Sequence, residues 1–286
     1  SFVVFWLAQF AARMGESIQE IALIWLVLDT TGEASLLALM VAATTLPTVL
    51  SSLPAGSLVD RLNRKWVLVG SNLARAGLIV LIPITGLTAF LIPLVLGIAV
   101  VTGVIQSGAT PARGAITPHL VPRSCLDAAN ALLAITRSVS RFLYILGGIA
   151  ITYLGVLAVF YLAATGFLLA AGLWFLLPST LGRTSETSGL GARSVWTGYF
   201  QQIHRGIRFV KTHEVLPSVV LLSVLTTLAL APLAVVLPFY ITTVTGGGST
   251  DFGILYGSIY FGIFLGAIIV GTFDALTNAY RGWIVL

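Results

Sequence analysis

Apolar residues fall into eight long runs, at about 2–28, 35–58, 66–86, 90–112, 126–152, 156–177, 215–240 and 252–273, separated by short polar breaks. Crossing the hydrocarbon core of a bilayer takes roughly 20 mostly apolar residues as a helix, and each run is long enough. None shows the alternating pattern of a barrel strand, so the sequence predicts an all-α membrane protein. Composition agrees: 57% of residues are hydrophobic and 9% charged, where a soluble domain carries about a quarter charged. The first run has no basic segment before it and holds Arg13, Glu16 and Glu20, unlike a cleaved leader.

The net charge of +5 raises nucleic acid as a partner, but its placement answers differently. With the chain's start taken as inside, the connections on that side hold Arg61, Arg64, Lys65, Arg113, Arg123, Arg183, Arg193, Arg205, Arg208, Lys211 and Arg281. Opposite connections hold Asp29, Glu33 and Asp251 and no cation. This is the positive-inside pattern of a multi-pass protein of a cytoplasmic membrane, bacterial or archaeal, with its start and its central linker in the cytoplasm. The expected partners are the bilayer and a small-molecule substrate, with no nucleic acid and a monomeric state.

Three segments follow: a six-helix transmembrane half over 1–177, a cytoplasmic linker over 178–214, and the first two helices of a second half over 215–286. Within the linker, Trp196, Tyr199, Ile203, Ile207 and Val210 recur at spacings of three and four, with Arg205, Arg208 and Lys211 between them. That spacing predicts an amphipathic helix on the membrane surface. A faint repeat at an offset of 214 to 215 residues pairs Thr31-Gly32 and Ser35 with Thr245-Gly246 and Ser249, Gly56-Ser57 with Gly271-Thr272, and Asn63 with Asn278. Parallel repeats of this kind imply a complete protein of roughly 400 residues and about 12 spans, of which this chain would be a fragment.

A charged group inside the bilayer is expensive and therefore a functional candidate. Gln9, Arg13, Glu16 and Glu20 are spaced four, three and four apart, which puts them on one face of the first helix. Arg13 can pair with Glu16 along that helix; Glu20 has no such partner. The fifth run adds Asn130, Arg137, Arg141, Tyr144 and Gly148, and the third adds Arg75. Four arginines then face two carboxylates, an excess of two positive charges that either an anionic or zwitterionic substrate group or acids in further helices would balance. Two readings stand for the glutamates: an ion-pair network that docks helices, or a carboxylate that exchanges a proton as the cavity alternates.

The segment Gly56-Ser57-Leu58-Val59-Asp60-Arg61-Leu62-Asn63-Arg64-Lys65 resembles the signature loop of major facilitator transporters, Gly-x-Leu-Ala-Asp-Arg-x-Gly-Arg-Lys. Asn63 replaces the second glycine; Asn tolerates positive φ well, so the turn is expected to persist. The resemblance implies the major facilitator fold, and a loop whose Gly56, Asp60, Arg61, Asn63, Arg64 and Lys65 latch the two halves on the inner side. Further residues resemble the drug-efflux branch that contains macrolide and siderophore exporters: Phe10, Arg13, Gly15 and Glu16; Thr110 to Arg113 and Leu120 to Leu133 between the fourth and fifth helices; and Leu237 to Tyr240. Prolines at 111, 118 and 122 are read as helix breakers that stiffen that connection.

Two departures stand out. The branch's Gly-Pro in the fifth helix is Leu143-Tyr144 here, followed by Gly147-Gly148, and a mid-membrane arginine in the fourth helix is not evident, with Gln106 the nearest polar group. The resemblance implies a secondary transporter exporting a small amphipathic molecule by alternating access, with a proton gradient as energy source and no cofactor. A lysolipid transporter of the same fold and a non-transporting sensor or remnant are the alternatives. Glycines 253, 257, 262 and 266 are read as packing positions. Cys125 is the single cysteine, His119, His204 and His213 form no metal constellation, and no Gly-x-x-x-x-Gly-Lys occurs. Nor do a nucleophile, base and orienting group stand together, so the sequence does not read as an enzyme.

Overall fold

A computed structural model describes residues 2–59, 62–86, 90–122, 125–178, 208–209, 212 and 216–284, with side chains left out at 53, 54, 57, 58, 119, 127, 227, 230, 267 and 270–284. The described residues form α1 (Phe2–Thr31), α2 (Ala34–Val59), α3 (Arg64–Thr85), α4 (Leu91–Leu120), α5 (Leu126–Arg141), α6 (Leu143–Leu154), α7 (Val156–Leu176), α8 (Leu216–Leu230), α9 (Leu233–Tyr240) and α10 (Ser249–Ile284). Helices coincide with all eight predicted runs. Five stretches are long and apolar enough to cross a membrane by those criteria alone, and α1, with Arg13, Glu16 and Glu20 along its middle, is not among them. The predicted surface helix of the linker lies outside the described residues except at 208 and 209.

Two of the runs are interrupted helices. The fifth breaks at Phe142, whose N–H turns back to the Val139 carbonyl at 3.0 Å while its own carbonyl accepts from Ile145 at 3.0 Å. These i→i+3 bonds tighten the backbone without a proline. The seventh breaks between α8 and α9 at Ala231-Pro232, where the ring removes a ladder donor. It then closes in a π-turn, Ile241–Thr245.

Two expectations about helix ends are corrected. Pro111 and Pro118 lie inside α4 and the helix ends only at Leu120, because inside a bundle neighbouring groups can re-satisfy the carbonyls a proline leaves open. The eighth run does not end near 273: α10 stays helical through Gly271 and Asn278 to Ile284, a stretch with no proline to stop it. The repeat is therefore matched at one end only. Gly32 and Gly246, which it pairs, have φ of 64° and 63°, whereas Asn63 is non-helical and Asn278 is not.

Close packing makes two layers of core. α1 lies along α7, α2 along α4, and α3 bridges α7 and α4, while α10 packs on α6. Small residues set the spacing: a Cβ on Gly166 would stand 3.0 Å from the Gly15 nitrogen, and one on Gly103 would stand 2.6 Å from the Thr44 carbonyl oxygen. Gly253 approaches α6 so closely that a Cβ there would meet the Tyr144 carbonyl at 2.7 Å; by contrast Gly262 and Gly266 have nothing within 4 Å. The packing expected at 253 and 257 is present, and that expected at 262 and 266 is absent among the described residues.

One apolar cluster gathers Ile18 to Val27 of α1 with Ala76 to Ile82, Leu91 to Ile98 and Val159 to Phe167. The other gathers Phe5 to Ala12 with Leu68, Val69, Ala109 to Ile116, Ala170 and Trp174, at the end of the bundle where residues 59–64 join α2 to α3. Between them, at mid-height on α1, α3 and α4, lies a polar layer.

Candidate functional site

Glu16 is the centre of that layer. Its Oε2 accepts from Arg13 Nη1 at 2.8 Å, and its Oε1 accepts from Arg75 Nη1 at 2.8 Å and Arg113 Nη2 at 3.0 Å. Three helices thus bring three guanidiniums to one carboxylate, with the Arg75 and Arg113 side chains 4% and 5% exposed. Arg75 also donates to the Gln106 amide oxygen and lies over the Phe167 ring at 5.6 Å. The i,i+3 pair expected along α1 exists, but it is one arm of a cross-helix network.

Arg113, expected on an inside connection as a topology charge, lies instead within α4. Because α4 runs on past Pro111, Arg113 is two helical turns beyond Gln106 on nearly the same face. It gives α4 a buried arginine, although not at the mid-helix level of Gln106. The legible signal was the spacing of seven from Gln106, hidden by reading Pro111 as a terminator.

Glu20 forms a second, more exposed pair, its Oε2 accepting from Arg141 Nη1 at 3.2 Å with side chains 49% and 37% exposed. The same Nη1 donates to the Tyr144 hydroxyl at 2.9 Å and to the Tyr260 hydroxyl at 3.2 Å. Arg141 lies 4.8 Å from the Tyr260 ring centroid, and Tyr144 stacks on Tyr260 at 5.5 Å. Arg141 and Tyr144 lie three residues apart across the break at Phe142, on the same side. Tyr260 was missed by the sequence reading because α10 had been read for its glycines alone.

A cavity of about 410 Å³ opens between α1, α2, α3, α4, α5 and α9. Arg13, Glu16, Glu20, Arg75, Arg137 and Arg141 line it with Gln106, and Thr44, Thr45, Thr48 and Thr102 add hydroxyls. Tyr144 is fully buried behind it, and Gln9 and Asn130 lie outside its lining. With Arg113, five arginines surround two glutamates, a formal excess of three positive charges among the described residues.

At the loop, Gly56 lies within α2 and a Cβ there would meet nothing within 4 Å; Asp60 and Arg61 lie outside the described residues. Asn63 does not take positive φ. At φ −67° and ψ 111° it is extended, and its side-chain oxygen accepts from the Lys65 N–H at 3.1 Å, so it serves as the N-cap of α3. Arg64 Nη1 donates to the Ala115 carbonyl of α4 at 3.4 Å. Lys65, expected at the surface, is 8% exposed and sits 5.3 Å and 5.2 Å from the Trp66 and Phe175 rings; the aromatic faces compensate its burial.

A helical bundle with a buried charge layer beside a polar cavity defines a multi-pass membrane protein of the transporter class. The major facilitator family described as transmembrane secretion effector matches residues 1–280, and the chain belongs to it. An uncharacterized MFS-type transporter of Mycobacterium tuberculosis is 38% identical over 90 residues, 31% of this chain and 20% of that protein. The uncharacterized MFS-type transporter YvqJ of Bacillus subtilis is 23% identical over 226 residues, 76% of this chain and 52% of that protein. Among solved structures, a bacterial homologue of the human lysosomal transporter Spinster, inward-facing and unoccupied, superposes with a TM-score of 0.68 at 16% identity, covering 95% of this chain and 62% of that one. A POT-family transporter solved with a thioalcohol-conjugated peptide superposes at 0.53 and 19% identity, over 82% and 48%. The shared fold is the major facilitator fold, and the chain spans at most about half the length of these curated relatives.

Proposed function

We propose that the chain forms part of a proton-coupled secondary transporter that exports a small amphipathic molecule with an anionic or zwitterionic group, by alternating access. The observation that carries the reading is the positive surplus at the mid-height cavity, whose lining holds four arginines against two glutamates among the described residues, and which a substrate anion would offset. The loop end faces the cytoplasm in this reading, supported by the basic connections there. Residues 1–177 and 215–286 belong to the two transporter halves, with 178–214 as their cytoplasmic linker.

The two glutamates take different parts. Neutralising Glu16 would leave Arg13, Arg75 and Arg113 facing one another, so Glu16 holds the helices together in both orientations. Glu20 has one guanidinium partner, is half exposed, and faces Arg141, Tyr144 and Tyr260. It is the carboxylate that trades places with substrate on Arg141 and takes up a proton when displaced. The test uses the complete protein in proteoliposomes loaded with a pH-sensing dye, to which carboxylate-, phosphate- and quaternary-ammonium-bearing amphiphiles are added. Anionic or zwitterionic members should move protons, and Glu20→Gln should abolish that flux. A preference for cations, or unchanged flux in Glu20→Gln, overturns the reading.

A further inference from the structure

A second cavity, of about 330 Å³, lies towards the loop end between α1, α4 and α5. Arg13 and Arg137 line both cavities, so these two arginines stand between an outer chamber and an inner one. The inner chamber is lined by Arg13, Arg113 and Arg137 with Gln9, Asn130 and Thr136, and no acid lines it among the described residues. Arg113 gives Nη2 to Glu16; its Nε and Nη1 are buried and have no hydrogen-bond partner among the described residues. Arg137 makes no ion pair with any described residue. Three guanidiniums lining one chamber, one of them without an ion pair among the described residues, ask for an acceptor that carries charge.

We propose that this inner chamber is an oxyanion-binding site, taking the carboxylate or phosphate group of a small molecule between the guanidiniums of Arg13, Arg113 and Arg137, with the Asn130 amide as an added donor. Planar guanidiniums match such oxygens two at a time, which lysines in the same place would not. Thr136 connects the site to α1, because its hydroxyl oxygen accepts from Trp6 Nε1 at 2.7 Å. The site deepens the transport reading by giving the substrate's anion a second station on the loop side of the Arg13–Arg137 pair. It does not depend on transport, since binding is measured at equilibrium.

The test is isothermal titration calorimetry on the 286-residue chain in a neutral detergent, with inorganic phosphate and with acetate. Expected is saturable binding of at least one anion, with the other competing for the same site. The tighter of the two tells a phosphate from a carboxylate ligand. Arg137→Gln should weaken binding at least tenfold without lowering the melting temperature, and Arg137→Lys should recover part of the loss. Asn130→Ala, a half-open position, should weaken binding about threefold and keeps the test valid if Arg137→Gln does not fold. No saturable binding of either anion, or wild-type affinity in both Arg137→Gln and Asn130→Ala, overturns the proposal.

Discussion

Replacing Glu16 by Gln removes the charge that three guanidiniums share and leaves the shape nearly intact. Each guanidinium donates to a carboxylate oxygen at 2.8 to 3.0 Å, and the carboxylate is 17% exposed while Arg75 and Arg113 are 4% and 5% exposed. Solvent therefore offers little replacement for the lost charge. Removing one partner of a buried pair costs about 3 to 5 kcal/mol, because the other is left uncompensated; here three are left. Glu20→Gln is the control, since it loses one partner at 3.2 Å with both side chains more than a third exposed. Water screens that pair, and the loss should stay below about 1 kcal/mol. Reversible unfolding in mixed micelles of rising dodecyl sulfate, followed by circular dichroism, measures both. Arg75→Gln placed on Glu16→Gln should return about 1 kcal/mol or more, because it relieves repulsion between neighbours that share a partner. A Glu16→Gln loss below about 1 kcal/mol, or no larger than that of Glu20→Gln, refutes the account of Glu16 as the electrostatic centre of the bundle.

The same titration checks two further expectations. Asn63→Ala should cost about 1 kcal/mol through loss of the cap to the Lys65 N–H, whereas Asn63→Gly should cost only a few tenths; a gain in stability with Gly would mean that the position prefers positive φ after all. Gly253→Ala should cost about 1 to 3 kcal/mol, because its Cβ would meet the Tyr144 carbonyl at 2.7 Å and force α10 away from α6, while Gly262→Ala, with open space around it, should be neutral or stabilising by up to about 1 kcal/mol. Equal effects at 253 and 262 would remove the packing argument.

The helices were legible because a bilayer imposes a blunt rule on sequence: long apolar runs, polar breaks, cations on one side. Positions along one helix were legible too, and the stripe of Gln9, Arg13, Glu16 and Glu20 does face inward. Partners were not legible, because they depend on how helices rotate against one another, and that is set by contacts such as Gly15 with Gly166 or Gly253 with Tyr144. Arg113 shows how a single local rule misleads. A proline ends a helix in water more readily than in a bundle, so a charge just past Pro111 looked like a loop residue when it is a buried arm of the central network. Asn63 misled in the opposite way: the substitution keeps the loop's geometry by capping α3, a role that a comparison of turn propensities does not reveal.

The charge layer also explains why α1 is polar in its middle although it is packed on several sides. Apolar clusters above and below it exclude water from Arg75 and Arg113, so the network must neutralise itself from within. Among the described residues it does so incompletely, since two carboxylates answer five guanidiniums. A bundle evolved for stability alone would gain by matching those charges or by replacing them with apolar side chains of similar size, as buried ion pairs often permit. Keeping an unmatched positive layer where two cavities meet, at Arg13 and Arg137, makes sense when something negative passes through. On the proposed transport reading the surplus belongs to the substrate's path, and Glu16 is what lets the fold tolerate it.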